Sequence, residues 1–204
     1  MFGLTRWIRS HLARRSGSDA ASAQAWDAQY AAGRWDYLAQ LPELARYSVL
    51  AGYIGQLGQG GAVLDVGCGQ GLLLRSLPAA ACSKYVGIDL SASAIGTARA
   101  QQNERGTFLV ADCEHYSPDE EFDAIVFNEV LYFLKDPLGV IDRYAGSLRA
   151  GGIVLVSMCT AAREYAAILS QLKTRYVAVD EILLSRGAAG LSWVCAAFRA
   201  PGRS

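Results

Sequence analysis

No apolar run in this sequence reaches the roughly 18 uninterrupted residues needed to cross a bilayer, because Arg, Asp, Gly or Pro breaks each candidate. A soluble protein is expected. Net charge is lacking too: 19 basic and 19 acidic side chains cancel. No whole-molecule field draws the chain onto nucleic acid, and a small molecule is the expected partner. The five cysteines (Cys68, Cys82, Cys113, Cys159 and Cys195) form no CxxC pair and are odd in number. That speaks against a zinc site and a disulfide framework, and fits a reducing cytoplasm. Internal repeats and long low-complexity tracts are absent.

What is present is material for a core. The chain has 204 residues, 52% of them hydrophobic and 19% charged, enough for one domain of ordinary size. One stretch is lopsided: residues 1–18 carry Arg6, Arg9, Arg14 and Arg15 with no acid, while Leu4, Trp7, Ile8, His11 and Leu12 recur at helical spacing. Such a stripe suits a membrane surface or a partner; the favoured reading is a terminal helix packed on its own domain or frayed. The arginines break up the apolar centre that a secretory signal needs.

From Leu41 the texture changes. LPELARYSVLAGYIGQL places Leu44, Val49, Leu50, Tyr53, Ile54 and Leu57 on one helical face, and GQGG ends that helix. Strand-like and helix-like runs then alternate: AVLDV, GLLLRSLP, KYVGIDL, a helix from Ser91 through Asn103, TFLVAD and FDAIVFN. A helix from Pro137 to Leu148, GGIVLVSM, a helix over 162–172, YVAVDEILL and SWVCAAFRA complete the series. The pattern predicts an α/β fold, a Rossmann-like doubly wound sheet of seven strands, mostly parallel. SRGAAG is too short for a crossover helix, so the last strand is expected to be antiparallel.

The chemistry concentrates at strand ends. In AVLDVGCGQGLLL, Gly67, Gly69 and Gly71 follow a buried strand at alternate positions before a helix. Glycine there permits a tight turn and close approach of a ligand, and the helix start offers N–H groups. A dinucleotide fingerprint fails, since Leu72 or Leu74 occupies the place of its third glycine. The next strand ends in Asp89, whose two oxygens suit a ribose diol, and the third in Asp112, which could meet an adenine amino group.

Here the sequence resembles the class I S-adenosylmethionine-dependent methyltransferase family, from about Tyr30 to Phe198. VLDVGCGQG is similar to that family's first motif, GIDLS to its acidic second and VADCEHY to its third. FDAIVFNEVLYFLKDP and LRAGGIVLVSM are similar to the fourth and fifth. The resemblance implies S-adenosyl-L-methionine as cofactor. Gly67, Cys68, Gly69 and Gly71 would hold its methionine part, Asp89 the ribose, and Asp112 with Cys113 the adenine. Asp65, Leu90 and Asn128 are counted with them. It also implies a division into an N-terminal helical and lid segment, 1–40, and a methyltransferase domain, 41–204.

In relatives with a Tyr-x-x-Gly segment, here YAAGRWDYL, that segment lids the site, making Tyr30, Trp35 and Tyr37 candidates beside ordinary aromatic packing. Arg46 is a candidate for a forked contact to the cofactor carboxylate, or for a solvated helix face. Glu129, Tyr132 and His115 are the catalytic candidates. Glu129 could take a proton or orient an ammonium, or else bond a helix start or the lid; a structural histidine is the alternative for His115.

The Asp-Asn pair of metal-dependent relatives is missing, Asp136 being followed by Pro137, so no metal is expected. Asn128-Glu129-Val130-Leu131 replaces the base-methylating signature, which argues against DNA or RNA. NEVLYFL and WDYL resemble small-molecule enzymes of the nodulation-factor N-methyltransferase type. The expected activity is methyl transfer to an O or N atom of a sugar, oligosaccharide or other biosynthetic intermediate; a non-catalytic cofactor-binding or scaffold protein is the alternative. Oligomeric state is left open.

Overall fold

The run GGAVLDV forms β1 (Gly60–Val66) in the computed structural model, which describes residues 22–101, 103–187 and 190–201. The amphipathic stripe from Leu4 to Leu12 lies outside the described residues. β1 alternates its side chains between two cores. Ala62, Leu64 and Val66 belong to one cluster and Val63 to another, so both faces are covered, as a doubly wound sheet requires.

Around β1 stand β2 (Cys82–Asp89), β3 (Gly106–Val110), β4 (Phe122–Asn128), β5 (Leu148–Cys159), β6 (Val177–Ser185) and β7 (Ser192–Arg199). Their order is β3-β2-β1-β4-β5-β7-β6, a sheet of seven strands. β1 to β5 pair in parallel, and β7 runs antiparallel to both β5 and β6. The expected architecture, including the reversed last strand, is the observed one. The order reverses between β1 and β4, which opens a crevice at their carboxyl ends.

Helices α1 (Ala23–Ala31), α2 (Leu41–Leu57), α3 (Leu72–Ser76), α4 (Ala92–Ala100), α5 (Pro137–Ala145) and α6 (Tyr165–Arg175) connect and cover the strands. Leu50 and Ile54 of α2 and Ile95 of α4 cover one face, and Ile141 of α5 and Leu172 of α6 the other. Among the described residues no helix is long and apolar enough to cross a membrane.

Three local expectations fail. α4 stops at Ala100 rather than Asn103, its start capped by the Ser91 side chain on the Ala94 N–H. β3 ends at Val110, so Asp112 stands two residues beyond it. On α2, Leu44 is 45% exposed while Glu43, Arg46 and Tyr47 are buried. Hydropathy misjudged that face because its polar members bond one another inside the protein.

Asp65 corrects another expectation. It is buried within β1, accepts the Tyr85 hydroxyl on one oxygen and leaves the other without a partner. It is not part of the cavity wall described below. Burial, opposed by the Tyr85 hydroxyl, pushes its carboxyl up from 3.8 to about 7. The folded state therefore retains a proton that the unfolded chain releases. Stability from this group is complete below 3.8 and is lost as pH rises through about 7. Asp65→Asn, which keeps an acceptor for Tyr85, is predicted to gain melting temperature relative to the parent across that window. Melting curves taken at several pH values check this; a constant difference between the two proteins contradicts it.

Candidate active site

At the carboxyl ends of β1, β2 and β4 lies a cavity walled by the turn after β1, by Asp89, Leu90, Asp112, Cys113, Asn128, Glu129 and Tyr132, and by aromatic residues preceding α2. Gly67, Gly69 and Gly71 have φ of +75°, +54° and +74°, left-handed values that a side chain would strain. A Cβ on Gly69 would stand 2.8 Å from the Tyr30 hydroxyl, so the bare backbone also admits the lid. Gly71 lies off the cavity wall at the N-cap of α3, where a Cβ would meet the Phe108 ring at 2.8 Å.

Four N–H groups of this turn already have partners within the protein. Those of Gly67 and Cys68 donate to the Ile88 carbonyl, that of Gly71 to the Cys68 carbonyl, and that of Gly69 to Asp89 at 2.8 Å.

Asp89 accepts the Gly69 N–H on one oxygen and the Ser91 N–H on the other. Burial raises its carboxyl above the ordinary range against those two donors. Asp112 is half-buried and pulled the opposite way. Burial raises it, but the Glu114 N–H at 2.9 Å and His115 Nδ1 at 2.7 Å outweigh that and lower it. Burial pushes the Cys113 thiol up to about 12, so it stays protonated. The His115 side chain is 83% exposed and stands outside the cavity wall, which removes it from the reacting centre.

The β4 side of the cavity holds a polar network. Arg46, 2% exposed, donates to Glu43 at 3.1 Å and to Asn128 Oδ1. The Ser157 hydroxyl stands 2.8 Å from Asn128 Oδ1 and 3.2 Å from Glu129 Oε1, two acceptors for its one proton, and the Tyr132 hydroxyl donates to Glu129 at 2.7 Å. Glu129 has φ +60°, a strained conformation for a non-glycine residue, costing roughly 1–3 kcal/mol. Its N–H is held by the Ser157 carbonyl. Desolvation raises its carboxyl, opposed by Arg46. Arg46 is thus committed to protein partners, not to a solvated helix face, while its Nε and Glu43 Oε1 keep no partner.

Over the cavity lies an aromatic chain. Tyr30 meets Trp35 at 5.9 Å between ring centres, Trp35 meets Trp26 at 5.5 Å, and Trp26 meets Phe133 edge-on at 5.0 Å. Trp35 also meets Tyr37 at 6.1 Å, and Phe133 meets Tyr132 at 4.7 Å. The segment is fastened by Asp27, which accepts the Ser91 hydroxyl at 2.6 Å and the Ser93 N–H at 3.0 Å.

The sequence reading missed Trp26, Asp27, Glu43 and Ser157. The spacing of Glu43 and Arg46, three apart on one helix, was a visible signal for one of them. Asp27→Ala removes the fastening, and the amides of α1 are predicted to exchange with deuterium faster while those of β1 and β4 keep their rates. Unchanged α1 exchange would show that the aromatic contacts alone hold the segment.

A family model described as a methyltransferase domain matches residues 64–156. The chain is 39% identical over 105 residues to a ubiquinone biosynthesis O-methyltransferase of Aromatoleum aromaticum, covering 48% of this chain and 44% of that one. It is 32% identical over 127 residues to a trans-aconitate 2-methyltransferase of Afipia carboxidovorans, covering 60% and 43%. The chain thus spans about half the length of the curated relatives it matches. The crystal structure of the N-methyltransferase NodS from Bradyrhizobium japonicum with S-adenosyl-L-homocysteine shares the fold, with a TM-score of 0.69 at 24% identity, over 82% of this chain and 92% of that one. Residues 64–156 thus match a methyltransferase domain, and the chain shares its fold with a methyltransferase crystallised with S-adenosyl-L-homocysteine.

Proposed function

We propose that this chain transfers a methyl group from S-adenosyl-L-methionine to an oxygen or nitrogen atom of a small molecule, such as a sugar, oligosaccharide or other biosynthetic intermediate. The observation that carries this reading is convergence: the glycine turn after β1, Asp89 after β2 and Asp112 with Cys113 after β3 face one cavity under an aromatic lid. Relatives named as a ubiquinone biosynthesis O-methyltransferase and a trans-aconitate 2-methyltransferase support a small acceptor, and NodS, crystallised with S-adenosyl-L-homocysteine, supports the cofactor. A net charge of zero supports an acceptor other than nucleic acid.

The residues present fit the cofactor. Gly67 and Gly69 offer backbone without Cβ against the methionine part. Each Asp89 oxygen accepts one N–H and keeps a lone pair for a ribose hydroxyl. Ala111, Asp112 and Cys113 offer an apolar wall with a polar edge to the adenine, and the unpartnered Arg46 Nε is a donor for a carboxylate. The bound sulfonium supplies a methyl group already activated for attack. The protein's part is to orient the acceptor and exclude water, which can contribute roughly 7–11 kcal/mol. The lid aromatics exclude water, and Glu129 with Tyr132 and Ser157 lies where an acceptor would be held.

S-adenosyl-L-methionine and S-adenosyl-L-homocysteine are expected to raise the melting temperature and NAD to leave it unchanged; stabilisation by NAD alone would sink the reading. Asp89→Asn removes a charged acceptor, and S-adenosyl-L-homocysteine affinity by calorimetry should fall about tenfold. Tight cofactor binding with no S-adenosyl-L-homocysteine formed across a broad acceptor panel would favour a non-catalytic binder.

A further inference from the structure

On the β4 side of the cavity carboxyl groups outnumber guanidinium groups. Glu43 and Glu129 bring two carboxylates and Arg46 one guanidinium; the other bonded partners, Asn128, Ser157 and Tyr132, are neutral. Glu43 is 2% exposed, lines the cavity and leaves Oε1 without any partner. A desolvated carboxylate oxygen with nothing donating to it is an unstable arrangement unless a ligand completes it. Tyr37, Tyr132 and Phe133 line the same cavity, and aromatic rings can attract a cation through their faces. A carboxylate acceptor would meet repulsion here, and a neutral hydroxyl would leave the charge uncompensated.

We infer that the acceptor is an amine that enters as an ammonium ion, held between Glu129 and Glu43 and walled by Tyr37, Tyr132 and Phe133. This rests on the methyl-transfer reading above. Glu129 takes one proton from the ammonium, freeing the nitrogen lone pair. The nitrogen–methyl bond then forms as the methyl–sulfur bond breaks, sulfur leaves with the electron pair as a neutral thioether, and the positive charge ends on the methylated nitrogen. The proton on Glu129 passes to solvent when the lid opens. Arg46 keeps the site from gathering more negative charge than one cation can balance.

The test uses the full chain saturated with S-adenosyl-L-homocysteine, whose sulfur is neutral and whose own ammonium and carboxylate are then already in place, so what is measured is the site's remaining preference for a cation. Benzylamine, benzyl alcohol and benzoate match in size and differ in charge. Calorimetry is expected to rank benzylamine at least about tenfold tighter than the other two. Glu129→Gln is expected to erase that preference while S-adenosyl-L-homocysteine affinity stays within about twofold. Equal or tighter binding of the alcohol or the acid, or no binding of benzylamine, overturns the proposal. So does a Glu129→Gln variant that loses affinity for S-adenosyl-L-methionine but keeps the amine preference, because the charge would then serve the sulfonium. Failure of the parent protein to bind S-adenosyl-L-homocysteine at all would instead refute the methyl-transfer reading on which the inference stands.

Discussion

The Asp89 carboxylate ties together three parts of the molecule that are distant in sequence. One oxygen takes the Gly69 N–H and holds the turn after β1 against the end of β2. The other takes the Ser91 N–H and sets the start of α4. The Ser91 hydroxyl then reaches Asp27 on α1, so the lid is fastened to the same point. This arrangement works because β1 and β2 are parallel neighbours in register, with Val66 beside Ile88. Their carboxyl ends then deliver turn and acid to one place.

The opposite wall is organised on different physics. Around Asp89 a carboxylate is stabilised by backbone donors. Around Glu129 the carboxyl feels a second acid, Glu43, and the Arg46 guanidinium that bonds Glu43. The Glu129 backbone is also strained, and the surrounding bonds from Ser157 and Tyr132 hold it there. Backbone strain and a buried carboxyl thus coincide at one residue. The two walls of the cavity thus differ in how their carboxyl groups are held.

Much of the fold was legible because burial on both faces of a parallel sheet leaves continuous apolar runs, as in AVLDV and FDAIVFN, with glycine and acid at their ends. Gly67, Gly69, Asp89, Asp112 and Cys113 could be named from that pattern, since strand order alone gathers strand ends at one edge. Gly71, Asp65 and His115 show its limit. Each has the right residue type close to the right motif, yet one packs on Phe108, one bonds Tyr85 inside β1 and one projects into solvent. A residue's face along a turn or strand depends on local φ, ψ and register, which the motif does not encode.

From the sequence by itself came the strand series, the reversed last strand, the glycine turn and the acids beyond β2 and β3, because those follow from periodicity and from backbone sterics acting over a few residues. Tertiary structure alone decided that Glu43 and Arg46 are buried, that Asp27 fastens the lid to Ser91, and that Trp26 continues an aromatic chain to Tyr132. Each of these is a contact between segments far apart in the chain, or a polar group whose burial is tolerable only because a distant partner satisfies it. Hydropathy reads one residue at a time, and the partner appears only when the chain has folded.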